Sequence, residues 1–232
     1  MNFEKLVSWW DSRSLCVEHK YKKEEKSMKR YTSAKKILGK DFISPEMITD
    51  ACGVTYTDHR LDEIYKTLPS HECLVWCRDN NATLTVGPQR SLSLLGVRNV
   101  NNEHFHFTEG GWYSERDEAF ARYDKIRPGW IALRKEPVAD SFHKDWPNQN
   151  GLVIAPTVVP NAAEVAWVIL VHVCVRGDFL FKNVWVRTSS VDHAGNHVGI
   201  GVAPCMGIVL TCDWDEDDSL PDLGIAEARK KF

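Results

Sequence analysis

The stretch NAAEVAWVILVHVCVRG, residues 161–177, constrains the fold more than any other part of the chain. Asn161 and Glu164 stand in the N-x-x-E form of a capping box, and Gly177 supplies a C-terminal stop. Between them apolar side chains occupy nearly every direction around the axis. A helix that is apolar all round must be enclosed by other elements. The apolar run contains Glu164 and His172 and is too short to span a bilayer. The segment therefore predicts the buried centre of a globular protein, and no membrane partner is expected.

The 232 residues suffice for one large domain or two small ones. Residues 1–70 read as helical. SPEMITDAC has Ser44 as N-cap, Pro45 at the first helical position and Gly53 after the end. TDHRLDEIYKTLP places Leu61, Ile64, Tyr65 and Leu68 at helical spacing before Pro69. ECLVWC and ATLTVG, around the turn residues RDNN, predict a β-hairpin over 72–87. SLSLLGV and EHFHFT are further expected strands. SERDEAFARYDKI is an expected helix, WIALRK a strand, and 137–160 a long loop with four prolines, the kind of loop that often carries function. VWVRTSS, HVGIGVA and GIVLTCDW predict three strands, and IAEARKKF a short final helix. The fold class is α+β: a helical N-terminal region, then a mixed β-sheet packed on a buried helix. The expected division is 1–70 (extending through the hairpin if that joins the helices) and 71–232.

RPGWIALRKEP, from Arg127 to Pro137, places the candidate site. Trp130, Ala132 and Arg134 point one way from an extended strand, and Ile131, Leu133 and Lys135 the other. Both faces are apolar until the end, as in a central strand covered on both sides. If the 161–176 helix is a right-handed crossover, VWVRTSS returns parallel to this strand. Arg187 and Thr188 would then finish beside Arg134 and Lys135, at the carboxyl ends where such sheets bind ligands. We expect Arg134 and Arg187 to clamp a small anionic ligand or a partner protein's anionic group, with Lys135 and Thr188 in support and Trp130 as packing or a wall. The alternative reading gives these cations to water or to neighbouring carboxylates. Arg134→Ala is expected to weaken binding and to leave the melting temperature nearly unchanged.

Other chemistries are less well marked. His71, Cys73 and Cys77 lack paired zinc spacing, and no metal is expected. His104 and His106, with Asp192, His193 and His197, would be the donors if a metal site existed. A hydrolase with 137–160 as its lid, carrying Ser141 and His143, is a second alternative, but no G-x-S-x-G elbow is present and no catalytic residue is assigned. Cys174 reads as inert in a buried helix, and His172 as a hydrogen-bonded core residue. No glycine-rich nucleotide motif occurs, so no cofactor is expected. Nucleic acid is the first rival partner. Lys20 to Lys36 holds eight Lys or Arg against two Glu. The segment after it is similar to a winged helix-turn-helix, with Gly53-Val54 at the turn and the 72–87 hairpin as the wing. Asp58, Asp62 and Glu63 on the would-be recognition helix oppose phosphate.

Net charge is −3, so no global field draws the chain toward nucleic acid or acidic lipid. Seven Cys without framework spacing fit a reducing compartment. MNFEKLVSWWDSR lacks a basic region followed by an apolar core. Together these predict a cytoplasmic protein of bacterial type. The residues RPGWIALRKEPV, VPNAAEVAW and VRTSSVD together resemble an uncharacterised group of bacterial and phage-associated proteins. The resemblance covers the second half of the chain. It implies that 112–203 is one unit, and it assigns no activity and no functional residue.

Overall fold

The computed structural model describes residues 27–106, 111–203 and 205–230, so part of the Lys20–Lys36 stretch lies outside it. The described chain opens with helical residues 27–38 (α1) and a 3-10 turn, Gly39–Asp41. Three short helices follow, each started by a hydroxyl that accepts from a first-turn amide. Ser44 caps α2 (Pro45–Cys52), which ends on Gly53 at φ 69°. Thr57 caps α3 (Asp58–Lys66), and Ser70 caps α4 (His71–Asp79).

Helix α4 replaces the first arm of the expected hairpin. Cys73 and Cys77 are four apart, a spacing that shares one side of a strand and of a helix alike, so periodicity could not separate the two. The strand Ala82–Val86 (β1) pairs instead with Trp130–Arg134 (β4), antiparallel, with Leu84 opposite Ala132. The wing of the helix-turn-helix reading is therefore absent, although α2 and α3 do flank a glycine turn.

SLSLLGV becomes a two-residue strand β2 (Leu92–Ser93) and a helix α5 (Leu94–Val100), with Ser93 as the cap. EHFHF is not a strand: Asn102–His104 is a 3-10 turn, and Phe105 makes one bridge to Ile208. The helix expected over 114–126 splits into α6 (Trp112–Glu115) and α7 (Ala119–Tyr123), with Asp117 at φ 55° between them. Strand β3 (Lys125–Ile126) pairs with β2. The long loop carries α8 (Trp146–Asn150).

The second half supplies α9 (Ala162–Arg176), β5 (Trp185–Val191), β6 (His197–Ala203), β7 (Gly207–Thr211), β8 (Leu223–Ile225) and β9 (Ala228–Arg229). The last two replace the expected terminal helix. The sheet orders are β1-β4-β9 and β7-β6-β5-β8, antiparallel throughout except for the parallel β5–β8 pair. The chain is α+β, a helical N-terminal part with sheets packed on a buried helix.

The expected crossover does not form. Residues 223–229 run between β4 and β5, pairing first with β5 and then with β4. The Ala226 amide donates to the Arg187 carbonyl at 3.1 Å, and the Arg134 amide to the Glu227 carbonyl at 3.1 Å. Helix α9 thus joins strands of two different sheets. Strand β4 is central and covered on both faces, as its apolar pattern requires, but its neighbours are antiparallel.

Helix α9 is buried continuously from Ala162 through Val173 and packs on α2, α5, β3, β5 and β6. Its polar groups are paired, as burial demands. The Asn161–Glu164 capping box forms in both directions. The Ala162 amide donates to Ser190 Oγ at 2.9 Å, and Trp167 Nε1 to the Val86 carbonyl at 2.9 Å. Lys230 Nζ reaches Glu164 Oε2 at 2.6 Å. The core is one cluster that crosses the division expected near residue 70: Ala34, Phe42, Ile48 and Ile64 belong to it together with Trp167 and Ile200. Among the described residues no helix is long and apolar enough to cross a membrane.

Trp167→Ala is expected to cost about 3–5 kcal/mol in chemical denaturation. Trp167→Phe should cost less, the residual coming from the unpaired Val86 carbonyl. A loss well below about 1 kcal/mol in the alanine variant would show that α9 is not the core element.

Candidate functional site: a cationic cleft at the end of α9

The structure separates the residues expected to form one site. Arg187 is fully buried. Its guanidinium donates to the carbonyls of Asp215 at 2.8 Å, Asp218 at 3.0 Å and Lys144 at 3.5 Å, and to Gln149 Oε1 at 3.2 Å. Burial pulls its pKa down, opposed by the charges of Asp218, Asp145 and Glu216. The acidic run DWDEDDSLPD is thus folded around a cation from β5. Arg187 is a fastener between strands and loops, not half of an anion clamp. Thr188, also fully buried, donates to the Val198 carbonyl at 2.9 Å within the sheet. Trp130 acts as packing. Its Nε1 donates to the Ile64 carbonyl at 2.9 Å, and its ring stacks on Phe42 with centroids 5.6 Å apart.

Arg134 and Lys135 do reach a cavity. A cleft of about 780 Å³ opens at the C-terminal ends of β4 and α9. Lys40, Arg134, Lys135, Arg176 and Lys182 bring five cations to its lining, and Asp41, Glu136 and Asp178 bring three carboxylates. Phe142, Phe179 and Phe181 give it flat apolar walls. The Pro137–Ser141 side fits closely because residue 224 is Gly: a Cβ there would lie 2.6 Å from Pro137 Cβ and 2.7 Å from Ser141 Oγ.

Most of these cations are already engaged. Lys135 Nζ meets Asp41 Oδ1 at 2.8 Å, and Arg134 Nη1 meets Glu227 Oε2 at 3.2 Å. Lys182 pairs with Asp178, whose carboxyl is held below its usual range mainly by that hydrogen bond. Arg176 Nη2 donates to the Phe42 carbonyl at 3.0 Å. Lys40 has no ion pair among the described residues and is exposed. Lys40 and Arg176, set against the unpaired Glu136, therefore leave the cleft with a net excess of one positive charge among the described residues.

His172 lies on the cleft wall, 7% exposed, and its Nδ1 hydrogen-bonds the Asp178 carbonyl at 2.8 Å. A carbonyl can only accept, so Nδ1 carries the proton and Nε2 the lone pair. Desolvation lowers its pKa, and the Lys135 charge adds to this. The structure agrees with the expected hydrogen-bonded core histidine and adds that it borders the cleft.

The remaining candidates are scattered. His104 sits edge-on to Phe179, His193 Nδ1 meets Glu118 at 2.8 Å, and His197 stacks on Trp146. Among the described residues no group of three or more His, Cys, Asp or Glu is placed to hold a metal ion. The 137–160 segment is tied down and does not have the free edge of a lid. Gln149 Nε2 donates to the carbonyls of Ser141 and Leu223, the His143 amide to that of Leu220, and the Trp146 amide to that of Glu216. Ser141 is fully buried, and its Oγ accepts from the Ile225 amide. The cleft residues Lys40, Arg176 and Phe179 carried no sequence signal, because they come from three separate element ends. Comparison with protein-family models, with curated proteins and with solved structures finds no match for this chain.

Arg187→Met is expected to destabilise the fold by at least about 2 kcal/mol, because three loop carbonyls lose their donor. Arg134→Ala should also lower the melting temperature, since Glu227 loses its cation. Equal melting temperatures for the two variants and the wild type would contradict both assignments.

His172 and His197 are both held below the ordinary histidine range by desolvation. The unfolded chain then binds protons that the folded chain refuses. Their contribution leaves stability flat above about pH 7 and lowers it as pH falls through about 6.5 toward 5. His172→Gln should reduce that slope in denaturant titrations; an unchanged slope would remove His172 from the account.

Proposed function

We propose that the cleft binds a small organic anion with an apolar body. The carrying observation is the excess of cations over carboxylates on its walls, set beside three phenylalanine rings. A volume of about 780 Å³ suits a molecule of drug-like or metabolite size. The anionic group would meet Lys40 and the outer edge of the Lys135–Asp41 and Arg134–Glu227 pairs. The apolar body would lie against Phe142, Phe179 and Phe181. This keeps the anionic ligand expected from RPGWIALRKEP and keeps Arg134 and Lys135 near it, while Arg187, Thr188 and Trp130 leave the site. A cytoplasmic small-molecule binding protein is the corresponding role.

Lys40 makes the cleanest test, because it is exposed and has no ion pair among the described residues, so its loss should not disturb folding. Titration calorimetry with a panel of aromatic carboxylates should find binding that weakens with added salt. Lys40→Ala should reduce affinity about 5–10-fold with an unchanged melting temperature. The matched neutral amides should bind far less well. Amides that bind as tightly as the acids would contradict an anion site.

A further inference from the structure

The β7-β6-β5-β8 sheet has two unlike faces. Val186, Ile200, Ile208 and Leu210 belong to the core, on the side that packs against α9. Residues opposite one another in a ladder share a face. Trp185, Gly201 and Val209 therefore form one row on the other side, and Arg187, Gly199 and Thr211 the next. The two glycines leave a bare strip of backbone in the middle. A Cβ on Gly199 would lie 2.3 Å from the Trp214 ring, and one on Gly201 would lie 2.9 Å from the Trp185 ring. Both indoles thus rest on β6 itself, in space that a larger residue would fill.

The rings are held in place. Arg187 donates to the Asp215 carbonyl at 2.8 Å, next to Trp214 in the chain. Trp185 and Trp214 meet edge to face, with centroids 5.2 Å apart and planes at 71°. Trp112, from α6, donates its Nε1 to the Leu210 carbonyl at 2.9 Å. These three tryptophans are half-buried and line one groove of about 410 Å³. A single exposed aromatic ring is ordinary, but three sharing one groove mark an interaction site.

The polar lining decides what kind of body suits the rings. Among the described residues it holds one permanent cation, Arg116, and one carboxylate, Asp213. Arg116 already lies over the Trp112 ring, 5.8 Å from its centroid. A cationic ligand would meet that charge, and an anionic ligand would meet Asp213. The balance favours a neutral body with an apolar face and a polar rim. Thr211 Oγ1 donates to Asp213 Oδ2 at 2.5 Å, which leaves the other carboxylate oxygen to accept from a ligand.

We propose that this groove binds a neutral saccharide. The C–H bonds on a pyranose face carry partial positive charge and meet the negative face of an indole. Planes at 71° make a corner, so one indole takes the sugar face while the other closes its edge. Rim hydroxyls donate to Asp213 and accept from Arg116. The groove shares no lining residue with the cationic cleft, and the inference does not rest on that cleft or its ligand.

The test titrates the isotope-labelled full chain with cellohexaose, chitohexaose, mannohexaose and maltohexaose and follows the indole N–H signals by NMR. At least one sugar should move the Trp185 and Trp214 signals with a Kd of about 0.1–1 mM. The signals of the buried Trp130 and Trp167 should stay in place. Added salt should leave this binding unchanged, as a neutral ligand requires. Trp214→Ala should weaken it about tenfold. Gly199→Ala should weaken it as well, because the new methyl displaces the Trp214 ring while every polar group remains. If a variant does not fold, the wild-type titration decides alone. No movement of these signals with any of the four sugars at about 10 mM would overturn the proposal. So would movement produced by a trimethyllysine or proline-rich peptide and by none of the sugars.

Discussion

The enclosure of α9 is the constraint on which the rest of the structure depends. Apolar side chains leave in every direction from Ala162 to Val173, so no single sheet or helix could cover them. The N-terminal helices, the short β2–β3 ribbon and the β5–β6 sheet each take one side. This is why the described residues share one core and why the helices between residues 27 and 79 do not stand apart. The helix emerges only in its last turn, and the cleft is there. His172 and Arg176 are four apart and face the cleft, while Cys174, two positions from each, points to the other side of the helix.

A buried charge performs the second organising task. The acidic segment after β7 has little apolar surface of its own to anchor it. Arg187 supplies the anchor by donating to two backbone carbonyls of that segment and to two acceptors around α8. Removing a guanidinium from water is costly, and the hydrogen bonds and nearby carboxylates offset that cost. The same contacts fix the 137–160 segment, and one wall of the cleft inherits that rigidity.

What the residues disclosed in advance follows from range. The caps of α9 and α2 involve neighbours within four positions, so Asn161, Glu164, Ser44, Pro45 and Gly53 could be read directly. Strand β4 was visible as central because both its faces are apolar. Its partners were not, since strand order is set by residues 223–229, almost a hundred positions away. Helix α4 was mistaken for a strand because its apolar run is short, although Ser70 and Arg78 marked a helix start and end. The cations of RPGWIALRKEP drew attention to the right end of β4. Their assignment to a clamp with Arg187 failed because the parallel crossover was assumed, and an arginine on a strand does not announce whether its partner is a ligand or a backbone carbonyl.

Native-state hydrogen exchange tests the central claim most directly. The amides of Trp167 to Val171 should exchange only through global unfolding, with the same free energy as those of β4 and β5 and the same dependence on denaturant. Amides of the final turn, from Cys174, should open at lower free energy. Exchange of the middle of α9 through a sub-global opening, while β4 and β5 stay closed, would contradict a fold built around that helix.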